Sequence, residues 1–178
     1  NLIMNLDSVE VSSIMKPNVI TDVDNHKITS ACKIMDDNKI GCVIIVSAQD
    51  KDKPIGILTE SDVVRALGKI NTWLSRLPLN DLLPFLHDLM SKPVVTIAQT
   101  SSVKNAMQVM TNKNIRRLVV VDKDQNMVGI ITIKDIIKLI NGSPELLTDF
   151  YSTHYPTQYA EMFERFTEYK FDSPAPDL

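Results

Sequence analysis

The sequence predicts a mixed fold of the α/β (α+β) class: two copies of a β-α-β-β-α unit, packed as a pseudo-twofold pair, plus a C-terminal amphipathic helix. Three observations predict it. First, the chain matches itself: residues 15–46 overlay residues 90–121, and after a shorter turn residues 54–64 overlay 127–137. Met15 falls on Met90, Val19 on Val94, Thr21 on Thr96, Ala31 on Ala106, Met35 on Met110, Ile40 on Ile115 and Val46 on Val121. Second, each copy carries an apolar stripe at helical spacing: Ile28, Ala31, Cys32 and Met35, or Val103, Ala106, Met107 and Met110. Third, each copy closes on one junction, Gly56-Ile57-Leu58-Thr59-Glu60-Ser61-Asp62 or Gly129-Ile130-Ile131-Thr132-Ile133-Lys134-Asp135.

Taken in order, residues 1–10 form an N-terminal arm and residues 11–67 the first copy. Residues 68–86 are an apolar helical connector, and residues 87–141 the second copy. Residues 142–178 are a C-terminal extension with one helix and a disordered end. The brief segments Val19-Ile20-Thr21 and Val94-Val95-Thr96 open the copies as strands. Asn25 in the first copy, and Ser101 or Ser102 in the second, are the expected N-caps of the next helix. Cys42-Val43-Ile44-Ile45-Val46 and Leu118-Val119-Val120-Val121 are apolar on both faces, as a buried strand requires. A polar turn follows, then the junction strand. A second helix begins at Val63 or Ile136 and ends, in the second copy, at Asn141-Gly142-Ser143-Pro144, a C-cap glycine followed by a proline. The connector, with Trp73, Leu74, Leu77, Leu82, Leu83, Phe85 and Leu86, is too apolar for a flexible linker and reads as short helices covering an open end of the core. Pro156 suits the first turn of a last helix whose aromatic face is Tyr159, Met162, Phe163 and Phe166. That face needs cover from its own core, a twin subunit or another protein.

The chain has 178 residues, 44% apolar and 23% charged, with net charge −3. This is ordinary for a folded soluble protein and does not suggest general nucleic-acid or membrane binding. No apolar run approaches the roughly 18–20 residues that span a bilayer. The N-terminus lacks a signal-peptide pattern, so the expected compartment is cytoplasmic. Cys32 and Cys42 form no Cys-x-x-Cys pair and read as buried, reduced thiols, with a disulfide or a redox switch as the other reading. His26, His87 and His154 have no ligand-like spacing, so no metal site is expected. There is no nucleophile–base pair and no P-loop, which argues against an enzyme.

The junctions are the stretches with chemistry in them. A strand there runs straight into a helix N-terminus, where free N–H groups attract anions. The aspartate sits well at the positive end of the dipole and can accept two hydrogen bonds from a vicinal diol. A plainer reading is open for each residue: Asp62 and Asp135 as helix N-terminal acids, Thr59 and Thr132 as caps, and Arg116-Arg117 as a solvated edge.

The duplicated unit resembles a tandem pair of CBS domains, a Bateman module, over roughly residues 11–141. The features that carry the resemblance are the lead-ins Met15 to Asn18 and Met90 to Pro93, the strand Arg117-Leu118-Val119-Val120-Val121-Asp122 and the two Gly-x-x-Thr-x-x-Asp junctions. It implies a non-catalytic regulatory module that binds adenosine nucleotides, AMP, ADP or ATP, in clefts between the repeats and signals to an unidentified effector protein. Carried over by position, Thr59 and Asp62 would face Pro93, Val94, Val95, Ile115, Arg116 and Arg117. Thr132 and Asp135 would face Asn18, Val19, Ile20, Ile40, Gly41 and Cys42. The aspartates would hold the ribose diol. The threonines, helix N–H groups and arginines would receive phosphates. The first copy has Gly41-Cys42 where the second has Arg116-Arg117, so two unequal sites are expected, the stronger at Asp62. The resemblance also implies a homodimer. Two alternatives stand beside the nucleotide sensor: an oligomerisation or interaction scaffold without a physiological nucleotide, and a binder of S-adenosylmethionine or another adenosine derivative.

Overall fold

The computed structural model describes residues 4–70 and 82–152. The expected unit occurs twice. In the first copy β1 (Thr21–Val23), α1 (Ile28–Asn38), β2 (Cys42–Val46), β3 (Pro54–Thr59) and α2 (Glu60–Gly68) follow in order. A short helix, α3 (Leu86–Leu89), precedes the second copy: β4 (Thr96–Ala98), α4 (Val103–Lys113), β5 (Arg117–Val121), β6 (Met127–Thr132) and α5 (Ile133–Asn141). A further helix, α6 (Pro144–Ser152), closes the described chain.

Each copy builds a three-stranded sheet, in the orders β1-β2-β3 and β4-β5-β6. In the first, β2 runs parallel to β1 and antiparallel to β3, with Cys42 opposite Thr59 and Ile44 opposite Ile57. The central strands are buried from their second residue on, as their two-faced apolar character requires. The helical stripes supply the other wall, and Ala31, Met35, Val43, Ile45 and Leu58 form one core cluster with Leu86.

Leu86 lies just ahead of the second copy, yet it is fully buried in the core of the first. The chain divides into two compact units that follow this exchange. One comprises Asn1–Pro17, Ile97–Val120 and Gly129–Leu178; the other comprises Asn18–Thr96 and Val121–Val128. In the first unit the N-terminal arm lies on the second copy. Leu6 and Val11 are fully buried, and the Leu6 and Val9 carbonyls accept from Lys104 and Val103 N–H at the start of α4. In the second unit the Pro84 carbonyl accepts from Ile28 N–H at the start of α1. Distant backbone carbonyls thus satisfy donors that a helix start leaves open.

Several local expectations are corrected. Lys27, not Asn25, is the N-cap residue of α1, without a side-chain cap, because the Pro84 carbonyl does that work. Ser102 caps α4 through its hydroxyl, as the sequence suggests. Strands β1 and β4 begin at Thr21 and Thr96 rather than two residues earlier. Helices α2 and α5 begin at Glu60 and Ile133, three residues before the apolar periodicity starts, because the threonine before each is a capping residue. Helix α5 ends at Asn141 with Gly142 as its C-cap, as expected, though in right-handed backbone at φ −83°, and Pro144 opens a further helix, α6, which Ser143 caps at Leu146 N–H. Leu146 and Phe150 of α6 are buried. Both cysteines are free but partly exposed rather than buried, and desolvation pushes the Cys32 thiol up. Trp73, Leu74 and Leu77 of the connector, and the expected helix from Pro156 on, lie outside the described residues.

A matching latch fixes each lead-in. Lys16 and Ile130 exchange both backbone hydrogen bonds, at 2.9 and 3.0 Å, and Ser91 and Ile57 do the same at 2.9 and 3.1 Å. Beside each latch a methionine lies over a glycine of the junction strand. A Cβ at Gly129 would stand 2.5 Å from Met15 Sδ and 3.0 Å from the Lys16 carbonyl, and one at Gly56 would collide with the Met90 side chain, its Cβ at 2.9 Å included. Either glycine therefore serves close approach rather than an unusual φ. We expect Gly56→Ala and Gly129→Ala each to destabilise by about 1–3 kcal/mol in urea unfolding. Met90→Ala and Met15→Ala should each restore only part of the matching loss, because the Met90 Cβ and the Lys16 carbonyl remain in close approach.

The copies differ at Asp22, whose counterpart is the buried Ile97. Asp22 is 4% exposed; its Oδ1 accepts from Val23 N–H and lies 2.6 Å from His26 Nδ1, while Oδ2 is buried without a partner among the described residues. We expect Asp22→Ile to change stability by less than about 1 kcal/mol, since an apolar replacement of a buried polar pair is often neutral. His26→Ala should cost about 2 kcal/mol, because it strands the carboxylate. Urea unfolding checks both.

Candidate functional site

Each junction is shaped by a reciprocal capping box. Thr59 ends β3 in extended backbone and caps α2: its hydroxyl oxygen accepts from Asp62 N–H at 3.3 Å, and Asp62 Oδ2 accepts from Thr59 N–H at 2.9 Å and from its hydroxyl at 3.0 Å. The second copy repeats this at Thr132 and Asp135, with distances of 3.3, 2.8 and 2.8 Å. The reason is spacing: threonine three residues before an acid at a strand-to-helix turn places each side chain on the other's backbone N–H.

One carboxylate oxygen remains outside each box. Asp62 Oδ1 accepts from Arg65 Nη1 at 3.2 Å, and Asp135 Oδ1 lies 3.7 Å from Lys16 Nζ. The carboxylates are sheltered, 11% and 13% exposed, whereas the two cations are 65% and 68% exposed. A long exposed side chain gains little from such a pair and is readily exchanged. The threonine hydroxyls, by contrast, already donate their hydrogen bonds to aspartate, so donors to a phosphate would have to come from elsewhere.

The other expected residues divide between the units. With Thr59 and Asp62 are Asn18, Val19, Ile20, Ile40, Gly41, Cys42, Pro93, Val94 and Val95; with Thr132 and Asp135 are Ile115, Arg116 and Arg117. Val19, Ile20, Val94 and Val95 are apolar yet partly exposed, and Asn18 and Pro93 are exposed. The Glu60 N–H donates to the Gly41 carbonyl at 3.1 Å, and the Ile133 N–H to the Arg116 carbonyl at 2.9 Å. Arg117 therefore corresponds to Cys42, which stands opposite Thr59. Directly opposed residues of an antiparallel pair share a face, so Arg117 belongs on the face of the Thr132–Asp135 box. Its Nε is buried with no hydrogen-bond partner among the described residues. Beside Gly41 lies the Glu60 carboxylate, 3.5 Å from where a Cβ would stand.

Sequence reasoning missed Lys16, Arg65 and Glu60. Arg65 had a signal, three residues beyond Asp62 on one helix face. Glu60 directly follows the cap. Lys16 had none, because only the latch brings it to Asp135. Among the described residues no group of three His, Cys, Asp or Glu side chains could hold a metal ion, and no helix is long and apolar enough to cross a membrane.

A protein of Methanopyrus kandleri is 34% identical over 135 residues, covering 74% of this chain and 63% of that protein. A homoserine O-acetyltransferase of Methanosalsum zhilinae is 31% identical over 77% of this chain, which spans only 25% of that enzyme. Among solved structures, the CBS domain pair of protein MJ0100, in complex with 5′-methylthioadenosine and S-adenosyl-L-methionine, is similar at TM-score 0.63 and 28% identity, covering 75% of this chain and 97% of that one. A CBS domain protein of Pyrobaculum aerophilum complexed with AMP is similar in fold at TM-score 0.61 and 22% identity, covering 76% and 100%. The CBS domain model matches residues 11–69 and 86–142, and the chain belongs to the CBS domain family.

Proposed function

We propose that this chain is a non-catalytic regulatory module that binds adenosine derivatives at its two junctions, AMP, ADP or ATP foremost, and passes their presence to a partner protein. The observation that carries this reading is the spare carboxylate oxygen. Each capping box consumes Oδ2 and leaves Oδ1, sheltered and, among the described residues, paired only to an exposed cation. Oδ1 has acceptor capacity for neighbouring ribose hydroxyls once that cation swings aside. Charge-assisted bonds of this kind are worth about 1.5–3 kcal/mol each, so losing a pair lowers affinity by about a hundredfold or more. The partly exposed Val19, Ile20, Val94 and Val95 offer apolar surface for a base, and Arg116 and Arg117 offer cations for phosphate. The adenosine ligands of the similar MJ0100 and Pyrobaculum proteins support the same class. A ligand that favours one arrangement of a two-state module shifts its population, which is how occupancy would be transmitted.

Differential scanning fluorimetry with AMP, ADP, ATP and S-adenosylmethionine tests this. A true ligand at ~100 times its dissociation constant stabilises by ~2.7 kcal/mol. The Asp62→Ala plus Asp135→Ala double variant should lose that shift. No shift with any of the four at millimolar concentration contradicts the reading.

A second reading, self-association, has an observation of its own. Helix α2 has no fully buried residue and leaves Val64 69% and Leu67 49% exposed, whereas Ile140, the counterpart of Leu67, is fully buried. A second copy of the chain would cover this face in a homodimer. Sedimentation should show wild-type dimer converting to monomer in Val64→Glu plus Leu67→Glu; a double variant with the wild-type mass contradicts it.

A further inference from the structure

The two latches are alike in backbone and unlike in charge. The position that exchanges hydrogen bonds with the junction strand is Lys16 in one unit and Ser91 in the other. Because the latch fixes its backbone at both N–H and carbonyl, Lys16 reaches Asp135 from a separate stretch of chain, 3.7 Å away. The uncharged Ser91 cannot do this for Asp62, which instead draws Arg65 from its own helix. The residues after the caps sharpen the contrast. Glu60 is acidic and lies beside Gly41, whereas its counterpart Ile133 is apolar and buried, and Lys134 follows it exposed. Glu60 and Asp62 against Arg65 leave the Asp62 junction negative. Lys16 and Lys134 against Asp135 leave the other positive, and Arg116 and Arg117 lie in that same unit.

We propose that the latch residue sets the ligand class of each junction: Lys16 makes the Asp135 junction the one that takes a phosphate-bearing adenosine derivative, and the Asp62 junction takes one without phosphate. This rests on the adenosine reading above and refines it. When a ribose displaces Lys16 from Oδ1, the ammonium is freed beside the bound sugar and is available to its phosphate. A point charge on a flexible stem suits that exchange. The cation of the lead-in beside the Asp62 junction, Lys92, stands one residue past the latch and makes no ion pair with Asp62 among the described residues, and Glu60 adds repulsion. The stronger phosphate site is therefore at Asp135, the reverse of the ranking expected from the carried-over arginines.

Isothermal titration of the full chain with AMP and with adenosine tests this in wild type, Lys16→Met and Ser91→Lys. Lys16→Met should weaken AMP about tenfold and leave adenosine within about twofold, the loss of one charged contact. Ser91→Lys should add a second AMP site of comparable affinity, a gain that no folding defect can mimic. Unchanged AMP binding in Lys16→Met, or an equal loss of AMP and adenosine, overturns the assignment while the adenosine reading stands. Wild type silent to both probes overturns both.

Discussion

The reciprocal bond between a threonine and the aspartate three residues on is the constraint on which the rest depends. It ends a strand and starts a helix within one residue, and it does so twice. Because Oδ2 is consumed by the Thr59 or Thr132 backbone and hydroxyl, the carboxylate cannot rotate freely. Oδ1 is therefore presented in one orientation at the mouth of the helix. A cap loosely held would place no oxygen reliably. The plain role of these residues, stabilising a helix start, and the proposed role of gripping a sugar are not rivals; the first makes the second geometrically possible.

The second constraint is the exchange of lead-ins. The segment up to Pro17 supplies Leu6, Val11 and Met15 to the second copy, and the segment before Pro93 supplies Leu86 and Met90 to the first. Each buried leucine of this kind contributes about 1.5–3 kcal/mol. A repeat of this size buries little core alone, and a borrowed segment enlarges it. The exchange also brings a residue from far along the chain next to each junction. That is where the copies, so similar in backbone, diverge in chemistry.

Much of this was legible in the sequence because it is local. Helical stripes at Ala31 and Met35 or Ala106 and Met110, two-faced strands, and Gly-x-x-Thr-x-x-Asp junctions are read within a dozen residues. Non-local satisfaction was not legible. Asn25 looked like a cap, but the Pro84 carbonyl takes that place from a distant segment. The helix starts were read late because apolar periodicity begins at Val63 and Ile136, a turn after the capping box. Asn141-Gly142 does mark the end of α5, while Ser143-Pro144 carries a further start signal, a capping serine before a proline, that opens α6. At the junctions, the acid and hydroxyl were visible, whereas Lys16 opposite Asp135 follows only from the latch.

The central claim is that Asp62 and Asp135 each hold ribose through the oxygen their capping boxes leave over. A crystal structure of the chain with AMP bound addresses it most directly. The account predicts ribose hydroxyls within hydrogen-bonding distance of Oδ1 of a junction aspartate, with Oδ2 still bound to its threonine and the Lys16 or Arg65 pairing broken. A nucleotide bound away from both aspartates, with those pairings intact, would contradict it.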